Sequence, residues 1–258
     1  TPELISGNLN LNLRQGKFNF FLSEGYNQSG GRTRARTLRQ NKDNGVITDY
    51  FNQYSIVERE RRFNSFRAGM DYFMDNRNTI TLSQDISIGR FGNEETQEQE
   101  YLNANGVKEY VGERLTDGAF RFNRKSTALN YKHVFPEEGK ELTADVTYNY
   151  GTRSQHSNIV NSFFFPDGSV YEPPTIVRNN GRNKEDQVTF QADFVDPINE
   201  KNKIEAGVRS YHNTFTSFYD AFAQDNGTEV KLPLSNNYEY KEMINAGYFT
   251  FSHQGEKF

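Results

Sequence analysis

The chain has 258 residues, 34 % hydrophobic and 14 % aromatic, with a net charge of −4 and no cysteine. These values exclude a disulfide or thiolate-metal framework and the basic surface of a nucleic-acid binder; with no run of 18 apolar residues, they also exclude a transmembrane helix. Apolar content is below the roughly 45–50 % of soluble domains, yet 22 Phe and 15 Tyr are too many for disorder, a balance that suits a wide barrel with a wet interior.

Period-two alternation is the main signal along the chain. Leu9, Leu11 and Leu13 alternate with Asn8, Asn10 and Asn12, and Phe18 to Tyr26 and Ser65 to Met74 follow the same rule less strictly. Ile80, Leu82, Ile86 and Ile88 alternate with Thr79, Thr81, Ser83, Asp85 and Ser87, and Thr127 to Phe135 comes next. Leu142, Ala144, Val146, Tyr148 and Tyr150 alternate with Thr143, Asp145, Thr147 and Asn149. Val188, Phe190, Ala192 and Phe194 alternate with Thr189, Gln191 and Asp193, and Ile204 to Tyr211 and Ile244 to Phe251 close the series. The five less strict segments have about 8–11 residues each, near the length a tilted strand needs to cross a bilayer. The expected lipid-facing set is therefore Leu9, Leu11, Leu13, Ile80, Leu82, Val146, Tyr148, Val188, Phe190 and Phe194. The expected lumen-facing set is Asp145, Thr147, Gln191 and Asp193, read either as hydrated wall residues or as an ion or substrate path.

Short polar turns are predicted at 15–17, 75–78, 136–140, 196–202 and 254–257, where Gly, Asn, Asp and Pro suit turn geometry. Their centres recur about every 60 residues. Between them lie polar excursions over 28–63, 91–123, 152–185 and 216–242, read as long loops with stretches that can extend the strands. Short turns at one end and long loops at the other is the asymmetry of outer-membrane barrels. The first excursion holds Arg32, Arg34, Arg36 and Arg39, and the second Glu94, Glu95, Glu98 and Glu100. The arginine run is read as a solvated segment facing acidic lipid or its own acidic neighbours, with a nucleic-acid patch as the alternative. Phe163 to Tyr171 reads as a hairpin tip turning at Pro166-Asp167-Gly168. The ring-rich excursion residues Phe163, Phe164, Phe165, Tyr171, Phe218, Tyr219 and Phe222 are candidates for ligand contact, against simple loop packing. Tyr26, Tyr72, Tyr131, Tyr148, Tyr150 and Tyr248 suit an interfacial girdle.

The hairpin from Asp193-Phe194-Val195-Asp196-Pro197-Ile198-Asn199 to Lys203-Ile204-Glu205-Ala206-Gly207-Val208-Arg209, with Gly7 to Asn12 and Tyr238 to Phe251, is similar in style to the outer-membrane β-barrel family of Bacteroidetes, relatives of TonB-dependent receptors. The resemblance covers the whole chain and implies an outer-membrane receptor closed by a plug and energised through TonB. Outer-membrane lipid, the TonB system and the barrel-assembly machinery are its implied partners. Residues 1–258 are then expected to be one fragment of a single barrel domain, an antiparallel up-and-down transmembrane β-barrel of nine or ten strands here, without the plug.

No cofactor, metal or enzymatic chemistry is expected. His133, His156, His212 and His253 have no metal-binding spacing, and no Gly-x-Ser-x-Gly elbow occurs. The expected function is uptake of a large polar ligand such as a glycan, peptide or metal chelate. A soluble extracellular glycan-binding or adhesin module is the alternative, favoured by the mean hydropathy of −0.88; a barrel enzyme acting on lipid is a weaker one.

Overall fold

The computed structural model describes residues 4–225 and 228–255. Ten antiparallel strands form one sheet: β1 (Leu4–Gln15), β2 (Phe18–Asp43), β3 (Val46–Phe73), β4 (Asn78–Asn103), β5 (Lys108–Val134), β6 (Glu141–Phe164), β7 (Val170–Asn199), β8 (Asn202–Asp225), β9 (Thr228–Lys231) and β10 (Asn236–His253). The order is β1-β2-β3-β4-β5-β6-β7-β8-β10, with short β9 paired to β8 alone. From β1 to β8 each strand therefore pairs with the next, up and down, and β9 and β10 both run antiparallel to β8. Among the described residues β1 and β10 do not pair with each other, so the sheet is not closed.

All nine segments of alternating sequence fall in strands, with only their end residues Met74 and Phe135 one position outside. Four of the predicted turns separate β1 from β2, β3 from β4, β5 from β6 and β7 from β8. Gly16 and Gly139 take positive φ of 58° and 76° in two of them, a conformation glycine adopts without a Cβ penalty. In a third, Asp75 accepts the backbone N–H groups of Arg77 and Asn78, both at 2.8 Å. Those bonds to the ionised form hold its carboxyl below the ordinary carboxylate value. The turn read over 196–202 is shorter than expected. Strand pairing continues through an irregularity at Pro197/Asn199, and only Glu200 and Lys201 remain between β7 and β8. Of the turn read at 254–257, residues 256 and 257 lie outside the described residues.

The excursions are a larger departure. They are not loops but paired strand: β2 to β8 run 24–30 residues each. The far ends of the first three excursions close in short hairpins between β2 and β3, β4 and β5, and β6 and β7. Asn44 and Gly45 both take positive φ, the signature of a two-residue hairpin turn matched to strand twist. The Pro166-Asp167-Gly168 tip is a turn as expected, with Gly168 N–H donating to Phe165 C=O at 2.9 Å. Both faces of these extensions carry mostly polar, partly exposed side chains, so the oily/polar alternation that marks a half-buried strand is absent there.

There is almost no conventional core. The surface is 17468 Å², whereas a compact domain of 29.9 kDa exposes about 11,700 Å². Among the described residues the buried side chains are Val57, Ala221, Ser55, Ser83, Thr189 and Ser217, and the registers put these six on the same side of the sheet. Crowding on one side and splaying on the other means the sheet curves toward that side. Among the described residues it is a single curved layer with no second layer packed on it.

Candidate functional site

Because opposite partners in an antiparallel ladder share a face, the registers carry each residue's face from strand to strand. One row runs Leu13, Phe20, Met70, Leu82, Leu129, Val146, Phe190. The next rows toward the short turns hold Phe18, Tyr72, Ile80, Tyr131 and Ala192, then His133, Leu142, Phe194 and Phe249. All ten residues expected to face lipid lie on this splayed, apolar face. Leu13 is 62 % exposed, Leu82 46 %, Val146 and Phe190 each 42 %. On β4 the aliphatic side chains from Ile80 to Ile88 cover about 27 Å of strand, while the row through Ile86 also holds Glu24, Lys125 and Asp186 on the neighbouring strands.

One polar residue within the band, Gln84, is satisfied internally. Gln84 donates to Ser126 C=O at 3.1 Å and accepts from Thr127 Oγ1 at 2.6 Å, which removes the cost of unpaired polar groups away from water. Beside it, small Ala68 opens an apolar groove of about 660 Å³ between Leu11, Leu13, Phe20, Met70 and Leu82. At the short-turn edge Phe18 stacks on Tyr72 at 4.9 Å, and Tyr131 donates to Asn78 at 2.7 Å. Lys140 reaches past the Phe135 and Phe194 rings to pair with Asp196 at 3.0 Å, a cation whose stem covers apolar surface while its head finds a carboxylate.

The crowded face is polar. Asp145 lies opposite Gln191, and Thr147 opposite Thr189. Gln191 donates to Asp193 at 2.7 Å, and the Tyr248 hydroxyl donates to the other Asp193 oxygen at 2.9 Å. The four residues expected to face a lumen thus share one wall. Tyr248, read as a girdle residue, belongs to this wall instead. Nearer β1, Asp71 accepts from Asn19 at 3.0 Å and from Thr81 at 2.7 Å. Several rings here lie flat over glycines: a Cβ at Gly69 would collide with Phe21, at Gly89 with Phe122 and at Gly207 with Tyr248. Each glycine makes room for a ring from the next strand.

Farther along, the polar face carries two aromatic clusters that inspection of single strands misses. The first joins Phe63, Phe91, Phe120 and Phe122 at centroid distances of 5.9–6.2 Å, with Arg61 over Phe91 at 5.4 Å. The second is a ladder near the hairpin tips. Tyr101 stacks on Tyr110 at 4.3 Å, Tyr110 on Tyr171 at 4.6 Å, and Phe165 meets Tyr171 edge-on at 5.1 Å. Phe51 extends it at 5.0 Å from Tyr101, with Arg39 over its ring. Burial pushes the Tyr101 and Tyr110 hydroxyls above the ordinary tyrosine value.

Of the seven candidate ligand aromatics, Phe163, Phe165 and Tyr171 join this ladder. The others do not converge on it. Phe164 points to the opposite face, since neighbours along a strand alternate. Phe218 and Phe222 lie on the apolar-face side and Tyr219 on the polar side. Phe51, Tyr101 and Tyr110 are the residues the sequence reading missed. Phe51 sits in a different excursion from Tyr101 and Tyr110, and only register joins the three.

Arg32, Arg34 and Arg36 share the apolar-face side with Glu58, Glu94 and Glu98. Arg32 pairs with Glu58 at 3.4 Å. Lys108 and Asn52, with Arg36 farther off, hold the Glu100 carboxyl below the ordinary value. Arg32, Arg34 and Arg36 therefore face the chain's own acidic neighbours, while Arg39 lies on the other face. Among the described residues no three His, Asp or Glu side chains cluster as metal ligands.

No curated relative matches the chain. Among solved structures, the ferric yersiniabactin uptake receptor FyuA from Yersinia pestis aligns over 97 % of this chain at 11 % identity and a TM-score of 0.28, and the chain spans 43 % of that receptor. OpdQ from Pseudomonas aeruginosa aligns over 97 % of this chain and 98 % of its own at 7 % identity and a TM-score of 0.13. Residues 133–258 match the model of the outer membrane protein beta-barrel family, and the chain is an all-β, up-and-down antiparallel sheet of the outer membrane.

Proposed function

We propose that the chain is part of the wall of an outer-membrane receptor or transporter barrel. Its apolar face meets hydrocarbon, and its polar face lines a hydrated lumen. The observation that supports this reading is the uncovered apolar band on the splayed side of a single-layer sheet. A soluble glycan-binding module with alternating strands needs a second sheet over that band, and the described residues provide none.

The long hairpins beyond the band carry the aromatic ladder of Tyr101, Tyr110, Tyr171 and Phe163 on the lumen side, half-exposed rings suited to stacking on a large polar ligand. We take that ligand to be a glycan, peptide or metal chelate. Its uptake is energised through TonB acting on a plug, in the manner of the Bacteroidetes receptors the hairpins resemble. The wall itself performs no covalent chemistry; its partners are lipid, the TonB system and the assembly machinery.

The full-length protein should partition into detergent and migrate differently before and after boiling. Protein that stays monomeric and soluble without detergent refutes the barrel reading. Uptake that persists after an uncoupler collapses the proton gradient refutes the energy coupling.

A further inference from the structure

We propose that Arg62, Arg90, Arg121 and Arg182 form a row that seats the phosphate groups of an anionic membrane lipid, whose acyl chains lie along the apolar band. The inference rests on the wall reading above. Arg62 is opposite Arg90, Arg90 opposite Arg121, Arg121 opposite Ser154, and Ser154 opposite Arg182. The row thus crosses β3 to β7 at one level, on the side that carries the apolar band.

Like charges set directly opposite each other destabilise a ladder, and neighbouring strands are only about 4.8 Å apart. Three consecutive arginines are therefore unfavourable unless an anion joins them. The chain supplies little. Arg62 pairs with Glu60, while among the described residues Arg90, Arg121 and Arg182 have no ion-pair partner, and all four side chains are exposed. Other cations on the extensions do find carboxylates, as Arg32 with Glu58, Lys184 with Asp186 and Lys231 with Asp220 show.

Position gives the anion its identity. Ile88, the last aliphatic of the band on β4, is two residues below Arg90, about 7 Å along the strand. That is headgroup height, where each basic side chain draws anionic lipid. Lys125 and Lys184 flank the row on the band side. The facing acids are Glu24 and Asp186 below and Glu60 and Asp220 above; Glu60, Asp186 and Asp220 are already paired with Arg62, Lys184 and Lys231. Farther out, Glu58, Glu94 and Asp117 share one row, and that change of sign confines the anion to the arginine level. Guanidinium forks suit phosphate because they can donate two parallel hydrogen bonds.

The test uses full-length protein in phosphatidylcholine vesicles containing spin-labelled lipid. The fraction of label held immobile at the protein is compared for phosphatidic acid and phosphatidylcholine. Wild type should prefer phosphatidic acid, and Arg90→Gln and Arg121→Gln should each lower the preference by about two- to fivefold. Arg34→Gln, beyond the row, should leave it unchanged. An immobile phosphatidylcholine shell with no preference for phosphatidic acid overturns the proposal and leaves the wall reading standing. No immobile shell for either lipid overturns both. Preference abolished by inorganic phosphate, but not by chloride at equal ionic strength, assigns the row to a free anion and overturns its assignment to lipid.

Discussion

Replacing Val146 by Arg is the sharpest test of which face meets hydrocarbon. Val146 is 42 % exposed and lies between Leu129 and Phe190 in the ladder. Leu142 and Tyr150 lie four residues away on either side on the same face, about 13 Å of strand in each direction. A guanidinium at this point is too deep to reach either headgroup layer without distortion. A cation at the midplane of a barrel's outer face costs about 2–4 kcal/mol, falling to about 0–1 near the interfaces. Val146→Arg should therefore destabilise by about 2–4 kcal/mol and Leu142→Arg, close to the turn, by about 0–1. Thr147→Arg points to the polar face, between Ala128 and Thr189, and should cost no more than about 1 kcal/mol. Phe190→Arg and Gln191→Arg should repeat the contrast on β7. Equilibrium urea unfolding of the full-length protein in vesicles measures all of these. Equal losses at Val146 and Thr147, or no gradient from Val146 to Leu142, would refute the face assignment.

Two further outcomes follow from the polar face. Gly89→Ala should destabilise by about 1–3 kcal/mol because its Cβ meets the Phe122 ring, and adding Phe122→Ala should restore part of that loss in the same unfolding assay; no recovery would show that the ring is not what limits the site. Burial raises the Tyr101 and Tyr110 hydroxyls above the reference value of 10.0, so the folded state keeps protons that the unfolded chain has released. Their contribution to stability is complete below about pH 10 and is lost as pH rises through the folded values. Spectrophotometric titration should show a late tyrosinate phase that shrinks in Tyr101→Phe and Tyr110→Phe, and a lost phase at or below the free-tyrosine value would contradict the burial.

Much of the near-turn half of the molecule is legible in one dimension. Leu9-Asn10-Leu11-Asn12-Leu13 can place its leucines together only as a strand, and Val146 must face away from Thr147 wherever the hairpin goes. The far half is less legible. Gln53, Gln97 and Glu98 carry no oily/polar contrast, so paired strand over 28–63 and 91–123 reads as loop. Candidate ligand residues suffer most. Phe218 and Tyr219 are adjacent in sequence and look like one cluster, but adjacency in a strand puts them on opposite faces. Tyr101 and Tyr110, nine residues apart across a hairpin tip, stack at 4.3 Å.

What the sequence determined by itself is therefore local: strand, turn and the alternation of faces, because the pleat makes side-chain direction a matter of counting by two. What only the tertiary structure decided is lateral: which rows cross the sheet, that six rings and four arginines from several strands stand at common levels, and which side is crowded. Those depend on register and curvature, which arise from hydrogen-bonding between segments far apart in the chain and leave no periodic trace in any one of them.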